Sequence, residues 1–211
     1  MKKIVLVLLT IAISLSATGE GFAQVQEKRM SISLGGGRSI PAGGYANGKS
    51  RGSTFLTGVT VRVYKSVHLA ADFYDNLLPV KRGQHDRQRL NDEVLQILGP
   101  HVDANTSLEG ANFGLMLKTS STPASVYGLS SIGYSRVIDR FFGTVHGTRL
   151  TAFHSESSFS ILLGGGMHVA MTPTVGLALN VRYIRAFNDR KVQWIPVALS
   201  IVFDFWKVEP G

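Results

Sequence analysis

The sequence predicts an all-β protein, an eight-stranded antiparallel up-and-down transmembrane β-barrel that follows an N-terminal signal peptide. Eight segments alternate apolar and polar residues with the period of two that is typical of a strand. The connections between these segments alternate, with one exception, between long and short. After residue 23, no segment reaches the roughly 18 consecutive apolar residues that indicate a membrane helix. A chain without such a helix can span a bilayer only as a closed barrel.

The N-terminus has the pattern of an export signal. Lys2 and Lys3 precede the apolar run 4–15, and Gly21 and Ala23 place small residues at the positions that a signal peptidase reads. The apolar run is shorter than the ~20 residues of a membrane helix, so we predict cleavage after Ala23. The predicted units are a signal peptide at 1–23, a periplasmic lead at 24–29, a barrel domain at 30–206 and a C-terminal tail at 207–211.

The net charge indicates which partners the chain favours, and its cysteine content limits the covalent modifications it can carry. The formal net charge is +8, and loss of Lys2, Lys3 and Glu20 with the signal peptide leaves +7. No basic run is interleaved with aromatic residues, and an exported chain does not meet nucleic acid, so phosphate-rich lipid headgroups are the predicted counterpart. The chain contains no cysteine, which excludes a disulfide framework and a lipid-modified N-terminal cysteine.

The segment 174–187 shows the strand pattern most clearly. Its odd-numbered positions are mainly apolar, whereas the even-numbered ones are mainly Gly, Ala, Asn and Arg. A second face of small and polar residues suits a crowded barrel interior, and the apolar face suits lipid. The other segments repeat the pattern. The predicted strands are 30–37, 53–64, 67–80, 109–118, 124–138, 157–169, 174–187 and 192–205.

Two places in this pattern require irregular geometry. The apolar residues of 124–138 change parity midway, so we predict a β-bulge near Ser130 and Ser131. The apolar faces of the second and third strands stay on one side only if their connection is odd, so we predict a turn at 64–66.

The predicted connections set the orientation. The long ones are 38–52, 81–108 and 139–156, the short ones are 64–66, 119–123 and 171–173, and 188–191 breaks the contrast. Outer-membrane barrels have short periplasmic turns and longer outer loops, so both termini are predicted to lie in the periplasm. Within 81–108, apolar residues on one helical face predict a short amphipathic helix at 86–98.

A soluble eight-stranded barrel or sandwich is the alternative, with the apolar face inside. Eight strands enclose a lumen that side chains just fill. Turning every Leu, Ile, Val and Phe inward would overfill that space and would leave Gly, Ser and Ala facing water. The apolar face is therefore predicted to point outward.

With this pattern, residues 28–206 resemble the small outer-membrane β-barrel superfamily, the OmpA- and OmpX-like eight-stranded barrels. In that family the last strand carries an assembly signal, a small residue followed by alternating apolar and aromatic positions, and Ser200, Phe203 and Phe205 match its spacing. Two departures are that Ser200 stands where Gly is usual and that 206–211 extend past the strand. The resemblance implies the outer membrane, the barrel-assembly machinery and outer-membrane lipids, including lipopolysaccharide, as partners, and a monomer.

Several charged residues are predicted to face the lumen. Buried charges are costly unless they are paired and hydrogen-bonded, so we predict an internal ionic network without a wide aqueous channel. A proton or ion relay through the same residues is the alternative. The network residues are Arg62, Asp72, Lys118, Arg182 and Asp204, accompanied by His168.

Aromatic residues near strand ends are predicted to form girdles at the membrane interfaces. These residues are Phe73, Tyr74, Phe187, Trp194, Phe205 and Trp206. The glycine runs 35–37 and 164–166 lack the context of a phosphate-binding loop, and we interpret them as relief of crowding in the lumen or an aid to strand curvature.

The adjacent His154 and Ser155 raise the alternative of a lipid A-modifying enzyme. Deacylases of the family place the two residue types on alternate positions of one strand, facing the same side, whereas adjacent residues of a strand face opposite sides. We therefore predict no catalytic residue and no cofactor. The six histidines show no metal-ligand spacing. A conduit for small apolar molecules, with a lateral opening, is a further alternative to the predicted non-enzymatic, structural or surface-interaction role through the outer loops.

Basic residues outnumber acidic ones in the predicted outer connections. Arg82, Arg87 and Arg89 lie close together in 81–108. Arginine binds phosphate through paired hydrogen bonds, so these three are predicted to contact the outer-leaflet glycolipid. Solvated loop charges without a partner are the alternative.

Overall fold

A computed structural model describes residues 28–46, 49–79, 103–119, 124–145, 148–189 and 191–206. Eight antiparallel strands close into one barrel, in which each strand pairs with its neighbours in chain order and β1 pairs with β8. The strands are β1 (Lys28–Pro41), β2 (Gly52–Tyr64), β3 (Val67–Pro79), β4 (Asp103–Lys118), β5 (Ala124–Val145), β6 (Thr148–Ala170), β7 (Val175–Ala186) and β8 (Gln193–Trp206). The predicted fold class is confirmed.

Some predicted features fall outside the described residues. They are the signal peptide at 1–23, the amphipathic helix at 86–98 and the tail at 207–211. A 3₁₀ turn, Gly43–Ala46, follows β1. Across the part of the chain that is described, no helix is both long and apolar enough to span a bilayer.

Burial alternates along the strands as the sequence predicts. In β7, every even-numbered residue is buried and every odd-numbered one is more exposed. In β2, Phe55 and Val63 are each 53% exposed, whereas Leu56 is 2% exposed. The apolar face is therefore the outer wall, as expected for a barrel surrounded by lipid.

The connections define two ends of the barrel. The turn end contains the connections 65–66, 119–123 and 171–174, together with the first and last described residues, Lys28 and Trp206. The loop end contains the connections 42–51, 80–102, 146–147 and 187–192.

The predicted long connection 139–156 is wrong. β5 continues to Val145 and β6 begins at Thr148, and the two strands remain paired up to these residues. Pairing of β6 with β7 begins only at Ser160, opposite Ala186. The β5–β6 hairpin therefore extends past β7 at the loop end. The two-residue alternation fades toward the tip of this hairpin, where beyond Phe142 the two strands pair only with each other.

The predicted β-bulge near Ser130 and Ser131 is also wrong. β5 pairs with β4 and β6 through this region without a register shift. Tyr127 and Leu129 are buried in the lumen, whereas Ile132 is 59% exposed on the outer wall. The change of parity arises because this lumen also accepts apolar and aromatic side chains.

The turn between β2 and β3 lies at Lys65 and Ser66, within the predicted turn. The register shifts between Arg62 and Tyr64, where β2 has one more residue than β3. This extra residue keeps the apolar faces of both strands on the outer wall across an even-numbered turn.

Candidate functional site

The half of the lumen nearer the loop end contains large apolar side chains together with buried polar ones such as Asn76 and Thr106. Its largest members, each no more than 2% exposed, are Leu56, Leu78, Leu108, Ile184 and Trp194. The Trp194 ring packs edge-on against Tyr74 with a centroid distance of 5.8 Å. The Tyr74 hydroxyl lies 2.6 Å from Ser135 Oγ. These side chains form a buried layer across the lumen below the loop end.

Two aromatic residues were predicted at the wrong place. Tyr74 and Trp194, expected in the interfacial girdles, are 3% and 0% exposed and lie in the lumen. A position near a strand end does not show whether a side chain faces the lumen or the outer wall. The even numbers of Tyr74 and Trp194 do show it, because the neighbouring even-numbered residues of β3 and β8 face the lumen. Phe73, Phe187 and Phe205 do lie on the outer wall, at 47–51% exposure. Trp206 is described only as part of the β8 backbone.

An ion pair crosses the middle of the lumen. Arg182 Nη1 lies 2.8 Å from Asp72 Oδ1, and both side chains are 4% exposed. β3 and β7 carry these residues and lie four strands apart in a closed barrel of eight, so the pair joins opposite walls. The structure thus brings together two residues of the predicted network.

Glycines leave room for the long side chains at this level. A Cβ at Gly164 would lie 3.1 Å from Arg182 Cγ, and one at Gly166 would lie 2.5 Å from the Tyr127 hydroxyl oxygen. That hydroxyl donates a hydrogen bond to Asn180 Oδ1. The run 164–166 therefore has the space-saving role that was predicted for it.

The other predicted interior charges lie near the turn end. Lys118 Nζ donates a hydrogen bond to His168 Nδ1 at 3.1 Å. Asp204 Oδ1 accepts one from Ser31 Oγ at 2.7 Å. Arg62 turns to the connection, where its Nε donates to the Lys65 carbonyl oxygen at 2.6 Å. The structure thus places Asp72 and Arg182 in the middle of the lumen and Lys118, His168 and Asp204 nearer the turn end, whereas Arg62 points to the connection.

A polar contact at the loop end was missed. Thr106 Oγ1 donates to Asp139 Oδ1 at 2.6 Å, and Lys49 Nζ lies 3.7 Å from the same carboxylate oxygen. Both charged residues were assigned to connections, so nothing indicated that they face the lumen mouth. The sequence signal for Asp139 is that it lies two residues after Val137 and therefore shares its inward face. This signal applies only if β5 continues past the predicted end at residue 138.

Basic side chains line the outer wall and rim near the loop end. Among the described residues these are Arg38, Arg51, Arg136, Arg140, Arg185 and Lys191. Arg185 lies over the Phe187 ring, with its guanidinium carbon 5.1 Å from the ring centroid. Phe187 in turn packs against Phe159 at a centroid distance of 5.9 Å. Arg82, Arg87 and Arg89, the predicted glycolipid contacts, lie outside the described residues.

The adjacent His154 and Ser155 lie in the projecting part of β6, and both are exposed. As neighbours on an extended strand they point to opposite faces of the hairpin. Across the described ranges, no three His, Asp or Glu side chains come close enough to hold a metal ion.

Comparison with solved structures finds the same architecture in outer-membrane proteins. The chain is similar to Ail, the attachment invasion locus protein of Yersinia pestis, with a TM-score of 0.51 and 17% identity over 85% of this chain and 99% of Ail. It is also similar to Neisserial surface protein A, with a TM-score of 0.51 and 14% identity over 83% of this chain and 97% of that protein. A major outer membrane protein from Thermus thermophilus aligns with a TM-score of 0.55 and 9% identity over 84% and 98% of the two chains.

No protein-family model matches the chain, and no curated protein sequence matches it significantly. The structural likeness, at these identities, concerns the fold. The closed barrel of eight strands with an apolar outer wall has the fold of the small outer-membrane β-barrel superfamily.

Proposed function

We propose that this chain is a non-enzymatic, monomeric outer-membrane protein that acts through its outer surface, with both termini in the periplasm. The observation that carries the proposal is the filled lumen, in which apolar side chains such as Leu78, Leu108 and Trp194 are fully buried. A barrel whose described interior is packed with buried side chains is expected to act through its rim, its projecting hairpin or its outer wall. The spacing of Ser200, Phe203 and Phe205 in the last strand supports insertion by the barrel-assembly machinery.

The conduit alternative receives less support. Its lateral opening requires two neighbouring strands to separate, whereas β1 and β8 are paired from Lys28 to Pro41 and every other neighbouring pair is also joined. Separating paired strands would leave backbone N–H and C=O groups unsatisfied in lipid, which costs several kcal/mol per group.

The enzyme alternative depends on His154 and Ser155. Both are exposed on a hairpin that projects past β7, and their opposite directions prevent a histidine base from reaching the serine hydroxyl. The names of two structural relatives, an attachment invasion locus protein and a surface protein, fit a role in surface interaction.

The proposed partner is the phosphorylated glycolipid of the outer leaflet. Six described basic residues, from Arg38 to Lys191, occupy the loop-end half of the outer surface, where the described acidic residues are Asp75, Glu109, Glu156 and Asp189. We propose that Arg82, Arg87 and Arg89, from the connection between β3 and β4, contact the same glycolipid. An arginine-rich rim at the level of lipid phosphates favours association with anionic headgroups.

The test is retention of purified lipid A by the detergent-solubilised full chain in native mass spectrometry. We expect lipid A adducts that diminish as ionic strength rises, because salt screens exposed charge pairs, and no comparable retention of phosphatidylcholine. Replacing Arg82, Arg87 and Arg89 together by alanine should reduce the adducts while the barrel stays folded. Absence of lipid A adducts at low ionic strength would refute the proposed partner. A changed acylation pattern of lipid A in cells that produce the protein, lost in His154→Ala, would establish the enzyme instead.

A further inference from the structure

Arg185 is a charged residue on an otherwise apolar stretch of the outer wall. It is the penultimate residue of β7 and shares its outward parity with Leu179 and Val181, which are 47% and 45% exposed. Its cross-strand neighbours are Ile161 on β6 and Gln193 on β8. Its position at the loop end places its guanidinium near the boundary between the apolar wall and the rim.

The guanidinium is held in place by aromatic rings rather than by a carboxylate. Its central carbon lies 5.1 Å from the centroid of Phe187, which packs on Phe159. In the part of the chain that the structure describes, Arg185 forms no ion pair, and its Nε–H is shielded from solvent without a hydrogen-bond acceptor. Leaving a shielded donor unsatisfied is unfavourable. An anion that accepts from this arginine would remove that cost.

The surroundings of Arg185 suit an amphiphilic anion. Toward the membrane, the wall continues as Leu163, Leu179 and Val181, each at least 45% exposed. Toward the rim, Lys191 is exposed two residues before Gln193 and supplies a second positive charge. The headgroup of an amphiphilic anion bound here would contact the two cations, and its acyl chains would contact the apolar side chains.

We propose that Arg185, framed by Phe159 and Phe187, binds a phosphate group of an outer-leaflet glycolipid, whose acyl chains lie along Leu163 and Leu179. The site rests on the proposed function, because it supplies a defined contact for that glycolipid on the barrel wall. The planar guanidinium can donate two parallel hydrogen bonds to one phosphate. The aromatic rings limit its rotation and so reduce the entropy lost on binding.

The experiment compares Arg185→Gln with the wild-type chain, using native mass spectrometry with bisphosphorylated lipid A and with dephosphorylated lipid A. We expect Arg185→Gln to bind the bisphosphorylated lipid about tenfold more weakly, which corresponds to loss of a charge-assisted contact, and to bind the dephosphorylated lipid like the wild type. Arg185→Lys should be intermediate, because it keeps the charge and loses the paired geometry. Inorganic phosphate at matched concentration should not displace the lipid.

The control is Lys65→Gln. Lys65 is an exposed residue of the turn between β2 and β3, at the opposite end of the barrel. It carries the same charge away from the proposed site, so its replacement should leave binding within about twofold of the wild type. Slower migration of the boiled sample than of the unboiled one on a denaturing gel confirms that each variant is folded.

The outcomes separate the site from the proposed function. If the wild-type chain retains neither lipid A form, the glycolipid function fails together with its site. If the wild type retains bisphosphorylated lipid A and Arg185→Gln retains it equally well, the partner stands and the site at Arg185 is refuted. Equal binding of both lipid forms by the wild type would show that phosphate is not recognised.

Discussion

At the scale of single residues, the lumen combines two charges that belong to opposite walls. Asp72 and Arg182 are buried to the same extent and lie 2.8 Å apart. Each charge is tolerated only because the other compensates its loss of hydration, so the two residues form one structural unit. Glycine positions around this unit decide how closely neighbouring strands and side chains can approach.

Removing one member of the pair should destabilise the barrel strongly. Asp72→Ala leaves the Arg182 guanidinium buried without its counter-charge, and we expect a loss of about 3–5 kcal/mol in the free energy of unfolding. Urea unfolding followed by tryptophan fluorescence measures this loss. The double replacement Asp72→Leu with Arg182→Met should recover most of the stability. Asp75→Asn, on the exposed face of β3, is the control, and an equal loss in Asp72→Ala and Asp75→Asn would contradict the paired unit.

Two glycines of similar strand position should respond differently to alanine. A Cβ at Gly114 would overlap the Ser130 carbonyl oxygen and the Ser131 Cα, whereas a Cβ at Gly128 meets nothing within 4 Å. We expect Gly114→Ala to cost about 1–3 kcal/mol through backbone displacement and Gly128→Ala to be neutral or stabilising by up to about 1 kcal/mol. The same unfolding assay measures both, and a neutral Gly114→Ala would show that β4 and β5 are not packed this closely.

At the scale of elements, the β5–β6 hairpin differs from the other seven pairs of neighbouring strands. It reaches past the last β6–β7 pair, between Ser160 and Ala186. The remaining strands of the barrel support only its lower part, since β4 ends its pairing at Asp103 opposite Phe142. The projecting part presents Phe153 at 74% exposure, which is unusual for a surface that faces water.

Shortening this hairpin should leave the barrel intact. Replacing residues 143–150 by Asn-Gly joins Phe142 to Thr151 through a favoured two-residue turn. We expect heat-modifiable gel mobility and a change in unfolding free energy of less than about 1 kcal/mol, because β4 pairs with β5 only as far as Phe142 and β7 pairs with β6 only from Ser160 onward. Deleting Ser131 and Ile132 instead shifts β5 against both neighbours and should prevent folding. Failure of the shortened hairpin variant to fold would mean that the tip directs barrel closure.

At the scale of the whole molecule, the side chains packed in the lumen stabilise the closed barrel and obstruct the passage of solutes through it. The Asp72–Arg182 pair occupies the middle, and large apolar side chains pack beside buried Asn76 and Thr106 below the loop end. The apolar outer wall is the kind of surface that suits contact with lipid. Eight strands leave no space for both a packed interior and a water-filled path.

The reconstituted protein should show little steady conductance in planar bilayers. Tyr74, Trp194 and the Asp72–Arg182 pair occupy the lumen at successive levels, and open aqueous channels belong to barrels of about 16 strands. A 16-stranded porin in the same bilayer serves as the control. Large and stable conductance steps from this protein would show that the interior side chains move aside.

The sequence by itself determined the strand count, the outward direction of the apolar face and the residues of the interior ion pair. These follow from the two-residue period, because a strand between lipid and a lumen must present two different faces along its whole length. Asp72 and Arg182 could be assigned to the inside from parity alone. The pairing between them could not, since β3 and β7 are joined only when the barrel closes.

Only the tertiary structure decided where the period ends and what fills the interior. Beyond Phe142, β5 and β6 pair only with each other, and the sequence there loses the two-residue alternation that predicted the other strands. Tyr127, Leu129 and Trp194 are lumen residues with the chemistry of lipid-facing ones, and closure of eight strands brings them close enough to bury each other. The aromatic frame of Arg185 likewise depends on the register of β6 against β7, which sets Phe159 beside Phe187. Periodicity records the environment of each strand, whereas contacts between strands depend on register and closure.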